Sequence, residues 1–340
     1  MHSHRGVTRP TLAIVGGESL LGKEVRELLE ESKLSVAVKL IASPDAGDTT
    51  IIAAVRDEPV VINSIEMADL GSAEVVVLAG KPESSLKAFE QLQRVKSKSV
   101  VIDVPGGLED HPGSRLRAPM AEPPGMDASA PIQVIAHPAA IAIALFLTHL
   151  RKAGVIRRSV IEIIEPASER GHSGIDELQK QTVALLSFKP LPKELYDTQV
   201  AFNLVREYGS ESPHKLADIE LKIDRHLASL LATEGNVPMP SLRLIHAPVF
   251  HGYGIAVWAE FEENPGIDAI VDALASNDID VRTGEHEPPS NVGVAGQRGI
   301  TVGAISPDRN QPRAFWFWIV ADNLRIAAEN VVEVVREVLK

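Results

Sequence analysis

Between Leu12 and Gly22 a short apolar run meets two glycines and then turns into a helical pattern. Leu12-Ala13-Ile14-Val15 reads as a buried strand. Beyond Gly16-Gly17, apolar residues recur at Leu21, Val25, Leu28 and Leu29, the i, i+4, i+7, i+8 spacing of one helix face. A strand that feeds a helix through glycines constrains the fold strongly, because the helix must cross back over a sheet. The same turn can cradle a pyrophosphate: glycine lets the backbone approach a ligand, and the open N–H groups of a first helical turn favour an anion. The spacing is Gly16-x-x-Ser19-x-x-Gly22, with Ser19 where a third glycine would help most. Gly16, Gly17, Ser19, Leu20, Leu21 and Gly22 are therefore the candidate cofactor contacts. The competing reading is a tight βα turn that holds nothing.

The alternation continues to Val104. Val36–Ala42, Glu74–Ala79 and Ser99–Asp103 read as strands, with a helix near Glu83–Val95. Short β runs separated by helices imply an α/β fold with a doubly wound parallel sheet and right-handed crossovers. A ligand crevice then lies at the carboxyl ends of the strands, which adds Ser43, Asp45, Ala79 and Gly80 to the candidate contacts. Residues 105–130, rich in Pro, Gly and charge, read as a loop or linker. Ile132–Ile135 is one more strand, and an apolar helix runs from Pro138 to near Lys152. The texture then becomes α+β. Long strands are expected at Val155–Glu165, Leu242–Ala247, Ile255–Phe261, Gly299–Ile305 and Ala314–Val320, in an antiparallel or mixed sheet. A helix follows Gly174, and another is expected from an N-cap at Ser212 with Pro213 in its first position. Asn323–Lys340 is a final amphipathic helix. The expected domains are 1–136, 137–322 and a C-terminal helix, 323–340.

The 340 residues carry 34 basic and 46 acidic side chains, a formal charge of −12, which argues against nucleic acid and anionic membrane surfaces as partners. The chain contains no cysteine. That excludes disulfides, thiolate metal sites and a cysteine nucleophile. The first residues lack the apolar core of a signal peptide. The most apolar run, Pro138 to Leu147, is too short for a membrane helix, which needs about 20 residues. A cytoplasmic location is expected.

Several segments together resemble the aspartate-semialdehyde dehydrogenase family. They are Val15–Gly22, Ala136-His137-Pro138, Ser173-Gly174, Ala201-Phe202-Asn203, Pro248-Val249-Phe250-His251-Gly252 and Val320-Ala321-Asp322-Asn323-Leu324-Arg325. The resemblance implies a Rossmann-like dinucleotide-binding domain, a catalytic and dimerisation domain, and a last helix that returns to the first domain. It also implies a homodimer or higher homo-oligomer, and it puts Asn323 among the cofactor contacts. In the family a cysteine thiolate attacks the aldehyde, hydride passes to NADP, and phosphate releases the thioester. The family's Asn-Pro-Asn-Cys-Ser-Thr motif corresponds here to His137-Pro138-Ala139-Ala140-Ile141-Ala142, with Ala140 in the nucleophile's place. Tyr253 follows Gly252 where the general-base histidine belongs, and a phenol is a poor base at neutral pH. Arg170 stands at the family's glutamine and His246 at its substrate-carboxylate arginine. Glu109 falls near its phosphate-contacting arginine. Ser43-Pro44-Asp45 lacks the arginine that grips the NADP 2′-phosphate, and Asp45 suits a ribose hydroxyl, so NAD is favoured over NADP.

Ser168-Glu169-Arg170-Gly171-His172-Ser173 places serine, carboxylate and histidine close together, but no nucleophile elbow frames either serine. The simpler reading is a loop with an N-cap serine. His246 and His251 lack a third ligand at metal spacing, so no metal site is expected. His137 is a possible ligand contact. Phe315-Trp316-Phe317-Trp318 alternates as a two-sided buried strand and suits a sheet and dimer core. Three readings remain: a catalytically silent or repurposed family member that keeps the dinucleotide cleft, an NAD(P)-dependent oxidoreductase with changed chemistry, and a structural or partner-binding protein without a ligand.

Overall fold

A computed structural model describes residues 9–43, 51–55, 58–62, 70–123, 125–126, 129–235, 237–284 and 286–340. The chain divides into two compact units, one of Met1–Arg117, Gly125–Ala136 and Ala327–Lys340, the other of Ala118–Pro124 and His137–Ile326.

The first unit opens with β1 (Thr11–Val15), α1 (Leu20–Glu31) and β2 (Ala37–Ile41). A hairpin follows, β3 (Ile51–Val55) paired antiparallel with β4 (Glu58–Ile62). Next come β5 (Val75–Leu78), α2 (Pro82–Arg94), β6 (Val100–Asp103), β7 (Ser114–Arg117) and β8 (Ile132–Ile135). Six strands form one parallel sheet in the order β2-β1-β5-β6-β8-β7. Its inner strands β1, β5, β6 and β8 are mainly apolar runs because both faces are covered: Ala13, Val15, Val76, Leu78, Val101 and Val134 are buried together. Register carries the consequence for function. Val15 lies opposite both Ile41 and Leu78, so Gly16, Ala42 and Ala79 leave the sheet at the same edge.

The structure corrects two expectations in this unit. The stretch 105–130 contains an edge strand, β7. Its polar sequence, Ser114-Arg115-Leu116-Arg117, hides it from a hydrophobicity pattern. The strand is held by Arg117, whose buried guanidinium donates to Gln133 Oε1 at 3.1 Å and pairs with Glu337 Oε2 at 2.7 Å. And the β3–β4 hairpin, built of two β-rich runs, interrupts the strand–helix alternation expected between β2 and β5. Asp45 lies outside the described residues.

The second unit begins with α3 (Pro138–Leu150), apolar and buried on nearly every side. Then follow β9 (Ile156–Glu165), a single 3₁₀ turn at Ala167–Arg170, α4 (Gly171–Leu186), α5 (Leu216–Glu234), β10 (Ser241–His246), β11 (Tyr253–Phe261), α6 (Ile267–Leu274), β12 (Ile279–Val281), α7 (Asn291–Val294), β13 (Ile300–Pro307), β14 (Ala314–Ala321) and α8 (Asn323–Val338). From Ala327 onward α8 belongs to the first unit. Six strands form a mixed sheet, β10-β9-β11-β14-β13-β12, parallel only at its two outer pairs.

Here too the sequence misleads in places. Ser212 does not cap a helix: its hydroxyl donates to Leu195 O and accepts the His214 N–H, and α5 starts at Leu216 behind Lys215. No serine caps α4 either, since Arg170 occupies that position without a side-chain cap. Within the single chain the strand Phe315–Trp318 is buried on one face, the other being left to a partner copy in the sequence reading. Phe315 and Phe317 are buried, whereas Trp316 is 47% and the neighbouring Val160 46% exposed. Trp258 sits between them, opposite Trp316 on one side and Val160 on the other.

Arg117 ties the last helix of the first unit to its sheet edge. Removing one partner of a buried ion pair leaves an uncompensated charge. We expect Glu337→Ala to cost about 3 kcal/mol, read as a lower denaturation midpoint; an unchanged midpoint would show that α8 is held by apolar packing alone.

Candidate active site and nucleotide turn

In the first unit the turn after β1 is closed by its own hydrogen bonds. The N–H groups of Gly16 and Gly17 both donate to Ile41 O, at 2.9 and 3.2 Å, and the Ser19 N–H donates to Gly16 O. Ser19 caps α1: its Oγ accepts the Gly22 N–H at 2.9 Å and donates to Ala79 O at 2.7 Å. The serine that replaces a third glycine thus joins the first helix to the end of β5. Gly16 has φ +85°, and a Cβ there would lie 2.6 Å from Gly80 N; a Cβ on Gly22 would collide with Gly16 O. Both glycines are required by the packing of the turn itself. Glu18 adds a contact that motif reading missed. Its two carboxylate oxygens accept the Ser43 N–H at 3.1 and 3.3 Å. The sequence-predicted residues Gly16, Gly17, Ser19, Gly22, Ser43, Ala79 and Gly80 are therefore gathered at one sheet edge, with Leu20 and Leu21 opening the helix.

In the second unit a buried polar cluster gathers at the end of β9. Along that strand Ile161, Ile163 and Glu165 share one face, so period-2 alternation drives a carboxylate inward. Glu165 is fully buried and accepts from Arg170 Nη2 at 2.8 and 3.0 Å. Tyr208 donates its hydroxyl to Glu165 Oε1 at 3.0 Å and also lies 3.0 Å from His246 Nδ1. Burial alone would raise the Glu165 carboxyl, but the Arg170 guanidinium, with His246 and Tyr208, holds it at about 2. Burial pushes the Tyr208 phenol up, and the Glu165 charge adds to that.

A second layer lies beside the first. Asn323, at the start of α8, accepts from Ser168 Oγ and the Gly252 N–H, both at 3.1 Å, and donates to Glu169 Oε1 at 2.8 Å. Glu169 Oε2 is 3.7 Å from His137 Nε2. Burial and the Glu165 charge raise the Glu169 carboxyl. Burial, then the Lys222 charge, lowers the His137 imidazole well below its usual value. The neutral ring accepts the Ala139 N–H on Nδ1 at 3.3 Å and caps α3. The Tyr253 ring lies 6.3 Å from that of His137, and burial with the Glu169 charge pushes its phenol well above the ordinary value. Ala140 follows on the first turn of α3, its methyl fully buried.

Arg170, His246, Tyr253 and His137 are thus brought together within the second unit. Asn323 has its side chain spent on Ser168, Gly252 and Glu169. Glu165 and Tyr208 were missed. Glu165 had a signal, an acidic residue in the inward register of a strand; Tyr208, in an irregular stretch, had none. That stretch is held by buried Glu177 and Gln181 of α4, which accept the N–H groups of Leu195, Tyr196, Val200 and Ala201. The bracing lets the Tyr196 ring pack 4.9 Å from His246.

A parallel sheet with its glycine turn in one unit and a mixed sheet with a buried polar cluster in the other define a two-unit α/β protein. The chain matches the family model "Semialdehyde dehydrogenase, dimerisation domain" over residues 147–326, and it belongs to that family. It is 26% identical to an aspartate-semialdehyde dehydrogenase of Rickettsia bellii over 97% of both chains. It is 27% identical to a USG-1 protein homolog of Pseudomonas aeruginosa over 93% of this chain and 94% of that one. A solved structure of a probable aspartate-semialdehyde dehydrogenase from Pseudomonas aeruginosa superposes with a TM-score of 0.85 at 25% identity, covering 98% of this chain and 99% of that one.

The depressed Glu165 carboxyl has a defined effect on stability. Its contribution is present above the unfolded value near 4.5 and is lost as pH falls toward about 2. It amounts to something on the order of 3 kcal/mol. We expect Glu165→Gln to be less stable than the native chain at pH 7 and to show a flatter loss of stability between pH 5 and pH 2. Parallel curves for the two proteins would show that Arg170 does not hold the carboxylate charged.

Proposed function

We propose that this chain is a catalytically silent member of the semialdehyde dehydrogenase family, a homo-oligomeric scaffold that keeps a dinucleotide-type turn and takes NAD in preference to NADP. The observation that carries this reading is the absence of any cysteine: no thiolate exists to attack an aldehyde or to leave as a thioester. The residues around Ala140 support it. Tyr253 cannot accept a proton near neutral pH with its phenol raised. The Arg170 charge is cancelled by Glu165 at 2.8 Å and is not offered to a substrate. His246 is engaged with Tyr208. For assembly, the dimerisation-domain match and the half-exposed Val160, Trp258, Trp316 face of the mixed sheet support a second copy as partner. Among the described residues no helix is long and apolar enough to cross a membrane.

The test is a turnover assay on the whole purified chain with L-aspartate semialdehyde, phosphate and either nucleotide. We expect no reduction of NAD or NADP above the protein-free rate. Turnover on the order of 10 s⁻¹, ordinary for an enzyme, would overturn the reading. Ala140→Cys should not recover activity, because Tyr253 still lacks a base's proton affinity range and Arg170 is still paired.

For the assembly we expect the native chain to sediment as an oligomer and Trp316→Glu to shift it toward the single chain. A native chain that sediments as a monomer would refute the sheet face as an interface.

A further inference from the structure

Resting on the reading that the first unit keeps a dinucleotide-type turn, we infer that Glu18 is its specificity-determining residue, and that its carboxylate makes the turn unfit for the 2′-phosphate of NADP. In a parallel sheet of this kind the adenosine ribose lies at the carboxyl end of the strand that follows the first helix. Here that end is Ile41, Ala42 and Ser43. A 2′-phosphate is an acceptor with up to two negative charges, so it needs N–H, hydroxyl or cationic donors at that place. The Ser43 N–H, a donor the strand end would offer, is already taken by Glu18 through both of its oxygens. The N–H groups of Gly16 and Gly17 are spent on Ile41 O. A phosphate would therefore displace a hydrogen-bonded carboxylate and sit beside its charge. Two such anions a few ångströms apart repel strongly enough, even at a surface-like dielectric, to cost about tenfold in affinity or more.

An unphosphorylated ribose meets the opposite chemistry. A carboxylate has lone pairs to spare beyond one shared N–H. Glu18 can accept from a 2′-hydroxyl while keeping Ser43 in place, the role an acidic residue plays in NAD sites. The N–H groups of Leu20 and Leu21, at the start of α1, have no acceptor within the turn's own hydrogen bonds. Glu18 thus excludes one nucleotide and serves the other with the same two oxygens.

Calorimetric titration of the whole chain with NAD and with NADP tests this, on the native protein, on Glu18→Gln and on Glu18→Thr. Glu18→Gln keeps an acceptor of the same reach for Ser43 and removes only the charge; Glu18→Thr removes the charge and leaves a shorter hydroxyl. Thermal melts of each variant confirm folding. We expect the native chain to bind NAD at least tenfold more tightly than NADP, and that ratio to fall about tenfold in Glu18→Gln, mainly through stronger NADP binding. An unchanged ratio in both variants would overturn the assignment of Glu18 while leaving the turn a nucleotide site. Failure of NAD and NADP to bind any of the three proteins would overturn the nucleotide reading itself. Tighter NADP than NAD binding to the native chain would overturn the exclusion.

Discussion

The second unit depends on one ion pair, Glu165 with Arg170. A carboxylate and a guanidinium with almost no exposure cannot be left singly in a protein interior, because each charge costs several kcal/mol to bury. Once β9 points Glu165 inward, the chain must answer it. The 3₁₀ turn at Ala167–Arg170 carries the guanidinium back over the strand end within five residues, Tyr208 donates a further hydrogen bond, and His246 lies behind it 3.7 Å from the carboxylate. The position of Glu169 follows, since the same turn places it against Asn323 and His137. The polar layer is one connected arrangement built around the Glu165 carboxylate.

That arrangement also fixes the charge balance at the positions the family uses for substrate recognition. Resemblance assigns anion recognition to the position of His246 and a polar amide to that of Arg170. Here a cation and an anion from the chain face each other, so the local charge is balanced before a substrate arrives. A semialdehyde's carboxylate would have to compete with Glu165, which is tethered, desolvated and hydrogen-bonded by Arg170 and Tyr208. The effective concentration of such an internal anion exceeds that of any free metabolite.

The elements of the fold were legible because their patterns are periodic. The apolar runs of β1, β5, β6 and β8, the all-apolar α3 and the alternation of β11 announced themselves, and each strand end followed from the register. What escaped was held together by contacts distant in sequence. β7 is polar along its length and exists because Arg117 finds Gln133 and Glu337, the latter 220 residues away. Ser212-Pro213 has the local signature of a helix start, but its serine is consumed by Leu195, so tertiary bonding overrides the cap. At the candidate site, the residues at family positions could be found by motif. Their new partners, Glu165, Tyr208 and Glu18, could not, since no local rule says which distant carboxylate will meet which donor.

The two units repeat one physical theme. In each, a group suited to receiving a ligand's negative charge is answered by a carboxylate of the chain: Arg170 by Glu165, the Ser43 amide by Glu18. The two carboxylates differ in what they can still do. Glu165 is fully enclosed and its lone pairs are used, so it can only hold structure. Glu18 is half-buried and spends both oxygens on a single N–H, so it keeps capacity for a hydroxyl donor. The same residue type thus plays two parts according to how far it is withdrawn from water, a spent structural anion in the second unit and an acceptor with capacity left in the first.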